Sequence, residues 1–337
     1  MFQRNLIQPS TIRIGTIGSS APGSGIEIAT DSTATVIPMT NQLWLRNRPM
    51  LSFVADYWAL TKPKMNLLIA TTVVAGFCAA LHTTLQSFPY LRLVHALFGT
   101  VLVASGAGAL NQVIERPFDA RMRRTARRPL VSGSISPDSS LRFGASLAIG
   151  GAIYLALAVN PLSSCVAALT ITSYLFVFTP LKRRTPLCTF VGALSGAAPP
   201  LIGWAAASGS LSSGAWVLFL MLFFWQFPHC MAIARVHRHD YDRAGYKILP
   251  RCKRRHKFIG VQSVVPALLL ILVVAIPTLN GDAGRISLVG AMLLSSMLLF
   301  YAVRLAVDRS NRGARQLLFA SIVYLPSVLL LMLFDKK

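Results

Sequence analysis

Nine long apolar stretches constrain this chain more than any other feature of its sequence. A helix needs about 20 mostly apolar residues to cross the hydrocarbon core of a bilayer. The composition, 54% hydrophobic against 13% charged, leaves too few polar residues to cover a soluble surface. We therefore predict an all-α polytopic membrane protein. The nine predicted transmembrane helices are residues 65–82, 93–113, 141–159, 163–181, 187–207, 214–234, 258–279, 285–304 and 315–334.

The positive charges are distributed unevenly among the connections between these spans. The chain carries 33 Lys and Arg against 11 Asp and Glu, a net charge of +22. Of the cations, 29 fall on one side of the predicted membrane, and the other side holds Arg92, Arg285, Lys336 and Lys337. Because Lys and Arg collect in cytoplasmic loops, the N-terminus is predicted to be cytoplasmic. Topology thus accounts for the charge, and we predict no nucleic-acid partner.

Residues 1–55 differ from the rest of the chain. They are rich in Ser, Thr, Ile and Gly, and they lack the apolar region of a secretory signal. We predict a disordered N-terminal tail at residues 1–55 and a transmembrane domain at residues 56–337, with a transit peptide as the alternative for the tail. The five cysteines form no CxxC or CxxCH motif, which argues against a metal knuckle or covalent haem attachment.

Two acidic clusters lie at the predicted cytoplasmic ends of apolar helices. The first contains Asn111, Glu115 and Asp119 at the end of the second span, and the second contains Asp240 and Asp242 after the sixth. A spacing of four residues places Asn111, Glu115 and Asp119 along one face of a helix. A proline at position 117 tends to kink or end a helix, so we expect Asp119 on an irregular extension.

Carboxylates near the membrane are costly unless they are paired or bound to a metal. Two clusters that face each other would repel unless a cation lay between them. Mg²⁺ meets this need, because it takes hard oxygen ligands, commonly one or two carboxylates plus substrate phosphates. We predict Glu115, Asp119 and Asp240 as Mg²⁺ ligands. The alternative is that these acids form ordinary salt bridges with the arginines of the adjacent 116–128 segment.

Basic residues on the same membrane face complete a candidate diphosphate site. Arginines are concentrated at residues 121–128, directly after the first acidic cluster, and residues 182–184 read Lys-Arg-Arg at the end of the fourth span. The guanidinium group of arginine binds phosphate in a bidentate geometry. Two or three of these side chains would suffice for a substrate, the others being determinants of topology.

The stretch from Asn111 to Leu130, NQVIERPFDARMRRTARRPL, resembles the first acidic motif of the intramembrane prenyltransferases of the UbiA superfamily. Its ending is similar to the protohaem IX farnesyltransferase (haem O synthase) branch. The resemblance runs from about residue 57 to the C-terminus. Further matching segments are TKPK at 61–64, KRRTP at 182–186, GAAPPLIGW at 196–204, WQFPH at 225–229 and DYDRAGYKILP at 240–250.

This resemblance implies a nine-helix UbiA-type bundle with a polar pocket on the cytoplasmic side. It implies transfer of the farnesyl group of farnesyl diphosphate to a vinyl group of haem B, with addition of water, to give haem O and diphosphate. Mg²⁺ is the implied cofactor. The implied location is the cell inner (plasma) membrane, or the mitochondrial inner membrane in a eukaryote. Haem A synthase or oxidase-assembly proteins are the implied partners, beside the lipid bilayer.

The resemblance also assigns roles to individual residues. Aromatic rings at Tyr174 and Phe223 to Trp225 are candidates to stabilise an allylic cation by cation–π contact, and His229 is the candidate contact to the haem iron or a propionate. Pro117 stands where the family usually has a carboxylate, which leaves the number of metal ions open. The implied catalytic residues are Asn111, Glu115, Asp119 and Asp240, and the implied substrate-binding residues are Lys64, Arg124, Arg128, Lys182, Arg183, Arg238, Tyr241 and His229.

Three other functions are alternatives to this one. A related prenyltransferase could use a quinone or another aromatic acceptor, which the 124–130 and 225–229 segments argue against. A secondary transporter would place charged groups near the bilayer midplane, whereas the acids here lie at the cytoplasmic boundary. A non-catalytic haem-handling protein is the third, and Pro117 lends it some support.

Overall fold

A computed structural model describes residues 50–81, 87–250, 255–308 and 310–336 of the chain. The described residues all belong to one compact unit. Of the tail predicted at residues 1–55, residues 1–49 lie outside the described part. Residues 50–55 form the beginning of a helix, Met50–Leu60, which we call α1.

Nine helices in the described part are long and apolar enough to cross a membrane, which confirms the predicted fold class. Short turns join several of them, and Lys62, the linker between α1 and the first span, has a left-handed backbone (φ 53°). A further short helix, Arg238–Ala244 (α8), follows the sixth span. The nine spans are α2 (Pro63–Ala80), α3 (Tyr90–Asp119), α4 (Pro137–Ala158), α5 (Pro161–Leu181), α6 (Cys188–Ser208), α7 (Ser213–Val236), α9 (Arg255–Leu279), α10 (Arg285–Asp308) and α11 (Asn311–Phe334).

Local sequence explains where several helices begin. Proline occupies the first helical position of α2, α4 and α5, where its missing N–H is not needed. The Ser136 hydroxyl caps α4 by accepting from the Ser139 amide, and the Asn160 side chain caps α5 by accepting from the Ser163 amide. Proline and capping side chains therefore fix where these three helices begin. The observed starts lie within a few residues of the predicted ones.

Small residues allow α2 to pack closely against α6. A Cβ atom added to Gly76 would collide with the Pro200 carbonyl, and one added to Gly203 would collide with the Val73 carbonyl. Close backbone approach at small residues is a common way for membrane helices to associate, since lipid provides no hydrophobic drive between them. This contact forms one side of the bundle interior, next to the site described below.

The helix α3 continues further than the sequence suggested. It remains helical through Pro117 to Asp119, so the expected irregular extension at Asp119 is wrong. A proline removes one backbone hydrogen bond and crowds the carbonyl four residues earlier, but here the surrounding structure keeps the last turn helical. As a result Asn111, Glu115 and Asp119 all stand on one continuous helix.

The segment after α7 returns to the same end of the bundle. Gly245 ends α8 in a left-handed conformation (φ 80°), which reverses the chain direction. The Lys247 amide then donates to the Lys182 carbonyl at 2.7 Å. This hydrogen bond fixes the 240–250 segment against the end of α5, so that its side chains reach the end of α3.

Candidate active site

A cavity of about 530 Å³ opens at the charged end of the bundle and extends between the apolar helices. Its mouth is polar, and its interior is lined by apolar and small side chains of α2, α3, α5, α6 and α7. A volume of this size is in the range of ordinary small-molecule sites. The charged or strongly polar residues at the mouth are Lys62, Asn111, Glu115, Asp119, Arg124, Arg128, Lys182, Tyr241 and Tyr246.

The last turns of α3 provide the acidic wall of this cavity. Asn111, Glu115 and Asp119 are 2%, 6% and 1% exposed, and all three line the cavity. Their shared face is the one that their four-residue spacing predicted. Buried carboxylates require compensation, so their partners determine what the site can do.

Glu115 lies at the centre of the polar network. Its Oε1 atom accepts from Lys182 Nζ at 2.8 Å and from the Tyr246 hydroxyl at 2.9 Å. Burial alone would lower the pKa of Lys182, but the nearby Glu115 carboxylate outweighs it, and the pKa is raised. Burial, and then the same carboxylate, raise the pKa of Tyr246. Lys182 is therefore a cation and Tyr246 a neutral donor at physiological pH.

Two further cations hold the other polar groups of α3. Arg128 Nη1 forms an ion pair with Asp119 Oδ2. Lys62 Nζ donates to Asn111 Oδ1 at 3.0 Å, and the Asn111 amide nitrogen donates to the Thr179 hydroxyl at 3.2 Å. The left-handed backbone of Lys62, next to the start of α2, is the local geometry from which this side chain reaches α3.

Arg124 and Tyr241 form another pair at the mouth. Arg124 Nη2 donates to the Tyr241 hydroxyl at 2.9 Å, and its guanidinium carbon lies 5.0 Å from the centre of the tyrosine ring. Burial raises the pKa of Tyr241, although the positive charge of Arg124 opposes the shift. The site thus presents four cations, Lys62, Arg124, Arg128 and Lys182, to the space in front of two carboxylates.

Asp240 does not line the cavity. Its Oδ1 atom accepts from the Arg123 backbone amide at 3.2 Å and lies 3.8 Å from Arg243 Nη2. Asp242, its neighbour in the second acidic cluster, pairs with Arg255 at 3.2 Å. The sequence predicted that the two clusters face each other across a metal. Instead, the second cluster is engaged by arginine side chains and by the backbone of the segment that carries Arg124.

Four of the predicted substrate-binding residues, Lys64, Arg183, Arg238 and His229, also lie outside the cavity lining. Lys64 is exposed. Arg183 donates to the Ile114 carbonyl at 3.2 Å and lies over the Phe118 ring, and Arg238 donates to the ring of the neighbouring His239 at 3.2 Å.

His229, the fourth, occupies the position of an ordinary packed histidine. Its Nδ1 atom shares a hydrogen bond of 2.8 Å with the Ser321 hydroxyl of α11, and its ring stacks on Trp225 with centroids 4.7 Å apart. It does not line the cavity. Of the aromatic candidates for cation–π contact, Trp225 and Tyr174 line the cavity and Phe223 and Phe224 do not.

Sequence reasoning missed two residues that the structure places in the site, Lys62 and Tyr246. Both were inside segments that the resemblance singled out, 61–64 and 240–250. Lys62 lies two positions before Lys64, the predicted substrate-binding residue. The sequence motif alone does not show which of the two side chains points into the cavity. Tyr246 follows the Gly245 turn, and that turn is the signal that would have found it.

The two carboxylates at the mouth can hold a hard divalent cation when a substrate supplies the remaining oxygen ligands. Among the described residues, no group of three or more His, Cys, Asp and Glu side chains is arranged to hold a metal ion. Glu115 and Asp119 nevertheless supply two carboxylates one helical turn apart, facing the same cavity. One or two carboxylates completed by substrate phosphates is the usual environment of Mg²⁺. The residues present fit that mode of binding.

Comparison with known proteins places these features in context. The model of the UbiA prenyltransferase family matches residues 68–323. The protoheme IX farnesyltransferase of Solibacter usitatus is 45% identical over 287 residues, which cover 83% of this chain and 98% of that protein.

Several solved structures resemble the fold. A digeranylgeranylglyceryl phosphate synthase structure has a TM-score of 0.68 at 16% identity, with 84% of this chain and 98% of that chain covered. The structure of a UbiA homolog from Archaeoglobus fulgidus bound to DMAPP and Mg²⁺ has a TM-score of 0.58 at 15% identity, with 83% and 99% covered.

Proposed function

Because the chain belongs to the UbiA prenyltransferase family, we propose that it transfers the farnesyl group of farnesyl diphosphate to a vinyl group of haem B. The C1–O bond of farnesyl diphosphate breaks, and a C–C bond forms to the terminal vinyl carbon. Water adds a hydroxyl to the other vinyl carbon and loses a proton. The products are haem O and diphosphate. The observation that carries this proposal is the convergence of four cations and two carboxylates at the mouth of an apolar cavity.

The cations of the mouth match the charge of a diphosphate. Lys62, Arg124, Arg128 and Lys182 face the cavity from three separate segments of the chain, so they can contact several phosphate oxygens at once. Their positive charge stabilises the leaving diphosphate as the C1–O bond breaks, and preorganised charge of this kind is commonly the largest contribution to catalysis. We assign these four side chains to the diphosphate.

Glu115 and Asp119 are the residues that would hold Mg²⁺, with Asn111 beside them on α3. When bound, the ion neutralises part of the diphosphate charge and lowers the cost of its departure. Asp240 is assigned a positioning role, because it binds the amide of Arg123 and so orders the segment that presents Arg124. Tyr246 orients the Glu115 carboxylate through its hydrogen bond.

The apolar interior suits the farnesyl chain and the reactive cation. Side chains such as Ile69, Val103, Ile202 and Leu222 line it and exclude water, which would otherwise capture the allylic cation before the acceptor does. We assign the ring of Trp225, which also lines the cavity, to the stabilisation of that cation. Haem B would approach from the membrane side, and His229 has no direct contact with this space.

The location follows from the same reasoning. The nine spans make the protein a multi-pass membrane protein. With the cationic connections on the cytoplasmic side, the cavity opens at the cytoplasmic face of the cell inner membrane, where farnesyl diphosphate is soluble. Proteins that use haem O, such as haem A synthase or factors of oxidase assembly, are the partners that this assignment predicts.

The test is product analysis with membranes that contain the protein. Incubation with haem B, farnesyl diphosphate and Mg²⁺ should yield haem O, and a chelator should stop its formation. Glu115→Gln should reduce turnover by about a hundredfold or more, since it removes charge that acts in the transition state. Asp138→Asn, an exposed acid at the start of α4, is the matched control and should retain turnover. Folded protein that prenylates a quinone but not haem B would disprove the assignment of the acceptor.

A further inference from the structure

A second cavity, of about 540 Å³, lies between α10 and α11 and shares no lining residue with the active-site cavity. It lies at the beginning of α11, which by the alternation of the nine spans is the cytoplasmic end. We call it the α10–α11 groove. It is lined by Met297, Tyr301, Asn311, Arg312, Arg315, Gln316, Phe319, Ala320 and Val323.

Two arginines line the polar end of this groove, and neither pairs with a carboxylate of the described residues. Arg312 and Arg315 are three residues apart on α11, which places them on neighbouring positions of one helix face, and both are exposed. The nearby acid, Asp308, pairs instead with Arg304 at 3.5 Å. In the part of the chain that the structure describes, no ion pair involves Arg312 or Arg315. Their charge is therefore available to an anion.

A buried acceptor lies beside these arginines. The side-chain oxygen of Gln316 is inaccessible to solvent and has no hydrogen-bond donor among the described residues. A buried polar atom without a hydrogen-bond partner destabilises the folded protein. A ligand that fills the groove and brings an O–H or N–H group to Gln316 removes that cost. The phosphodiester group of a lipid does not meet this need by itself, because its oxygens are hydrogen-bond acceptors only.

The rest of the groove is apolar and faces the membrane. Met297, Ala320 and Val323 continue its lining along α10 and α11, and Phe319 is 70% exposed on the same surface. In a protein with nine spans we expect this exposed apolar surface to face lipid tails. The groove therefore joins a cationic end at the level of the headgroups to an apolar channel at the level of the acyl chains.

We propose that the α10–α11 groove binds one acidic phospholipid whose headgroup carries a hydroxyl, of the phosphatidylglycerol type. The phosphate pairs with Arg312 and Arg315, a glycerol hydroxyl donates to Gln316, and one acyl chain lies over Met297 and Val323. This inference does not depend on the proposed catalytic function. It concerns a separate surface and predicts a separate ligand.

The experiment is native mass spectrometry of the purified full-length protein with added phosphatidylglycerol, phosphatidylcholine or phosphatidylmethanol. One phosphatidylglycerol should be retained at least fivefold better than phosphatidylcholine. The double variant Arg312→Gln/Arg315→Gln should lose that preference. The control Arg142→Gln/Lys257→Gln removes the same charge at exposed positions outside the groove and should keep it.

A second variant tests the hydroxyl contact without changing the charge. Gln316→Met should retain binding of acidic lipids but lose the preference of phosphatidylglycerol over phosphatidylmethanol, a phosphodiester of the same charge whose headgroup has no hydroxyl. The proposal is overturned if the two double variants behave alike, or if phosphatidylcholine is retained equally well. It is also overturned if haem B, tested by absorbance titration, occupies the groove and displaces phosphatidylglycerol.

Discussion

Lys182 and Glu115, 67 residues apart in the chain, form an ion pair of 2.8 Å inside the active-site cavity. Their side chains are 12% and 8% exposed, so water compensates neither charge well. The pair joins the end of α5 to the last turns of α3. Because the same carboxylate also accepts from Tyr246, the pair connects three segments whose motifs are distant in sequence.

Breaking this pair should be costly. Lys182→Met leaves Glu115 buried without its cation, and we expect the free energy of unfolding to fall by about 3 kcal/mol. Glu115→Leu should have an effect of similar size. The double variant should be less destabilised than the sum of the two, since it removes both charges together. Unfolding in mixed detergent micelles measures all three variants.

Strict additivity of the two substitutions would contradict this account of the pair.

The pH dependence of the Lys182–Glu115 coupling free energy provides an independent check. Because the pKa of Lys182 is raised in the folded protein, the stabilisation is present below the ordinary pKa of lysine and is lost only as the pH rises through the raised value. Between pH 7 and 9 the coupling free energy should therefore remain constant.

Lys62 and Lys64 provide a comparison within one motif. Lys62 lines the cavity and donates to Asn111, whereas Lys64 is exposed and does not line it. We expect Lys62→Met to raise the KM for farnesyl diphosphate about tenfold, because it removes a charged hydrogen-bond donor worth about 1.5–3 kcal/mol. Lys64→Met should change KM by less than about twofold, as expected for an exposed side chain. Steady-state kinetics of both variants would contradict the assignment if Lys64→Met had the larger effect.

His237 should make stability depend on pH. Burial and the positive charge of Arg124 lower the pKa of His237, although Asp240 opposes the shift. The unfolded chain then binds more protons than the folded one below about pH 6.5. The free energy of unfolding should consequently decrease as the pH falls from about 6.5 through the folded pKa of His237, and His237 should contribute no pH dependence above about pH 6.5.

Equilibrium unfolding at a series of pH values tests this behaviour. His237→Gln should flatten the acidic limb of the profile. His239→Gln, at an exposed position two residues away, is the control and should leave the limb in place. The proposed role of His237 is incorrect if the two variants give the same profile.

Gly196 should control how long a prenyl chain the cavity accepts. A Cβ atom at this position would collide with the Gln226 side chain, and both residues line the cavity. Gly196→Leu should therefore weaken binding of farnesyl diphosphate more than binding of dimethylallyl diphosphate, whose chain is shorter. Gly150→Leu is the control, because nothing lies within 4 Å of a Cβ atom added there.

Competition binding with the two diphosphates measures the effect directly and does not require turnover. An equal loss of affinity for both would mean that Gly196 affects the headgroup site or the fold in general. An unchanged preference with retained affinity would mean that the farnesyl chain does not reach this part of the cavity.

The sequence alone determined the architecture and the acidic wall of the site. Nine apolar stretches require nine helices, because backbone groups in lipid must be satisfied within each span. The four-residue spacing of Asn111, Glu115 and Asp119 fixes a shared face, since helix geometry is local. Both features depend on residues close together in the chain.

The tertiary structure decided which basic and aromatic side chains join that wall. Lys62, Lys182 and Tyr246 reach Glu115 or Asn111 across 49, 67 and 131 residues, respectively. No sequence periodicity predicts contacts between residues so far apart in the chain. These contacts depend on the left-handed backbone at Lys62, the left-handed turn at Gly245 and the packing of α5 against α3. The tertiary structure also places Asp240 outside the cavity lining, where its carboxylate accepts from the backbone amide of Arg123. Motifs showed which segments carry the chemistry, and only packing selected the side chains that face it.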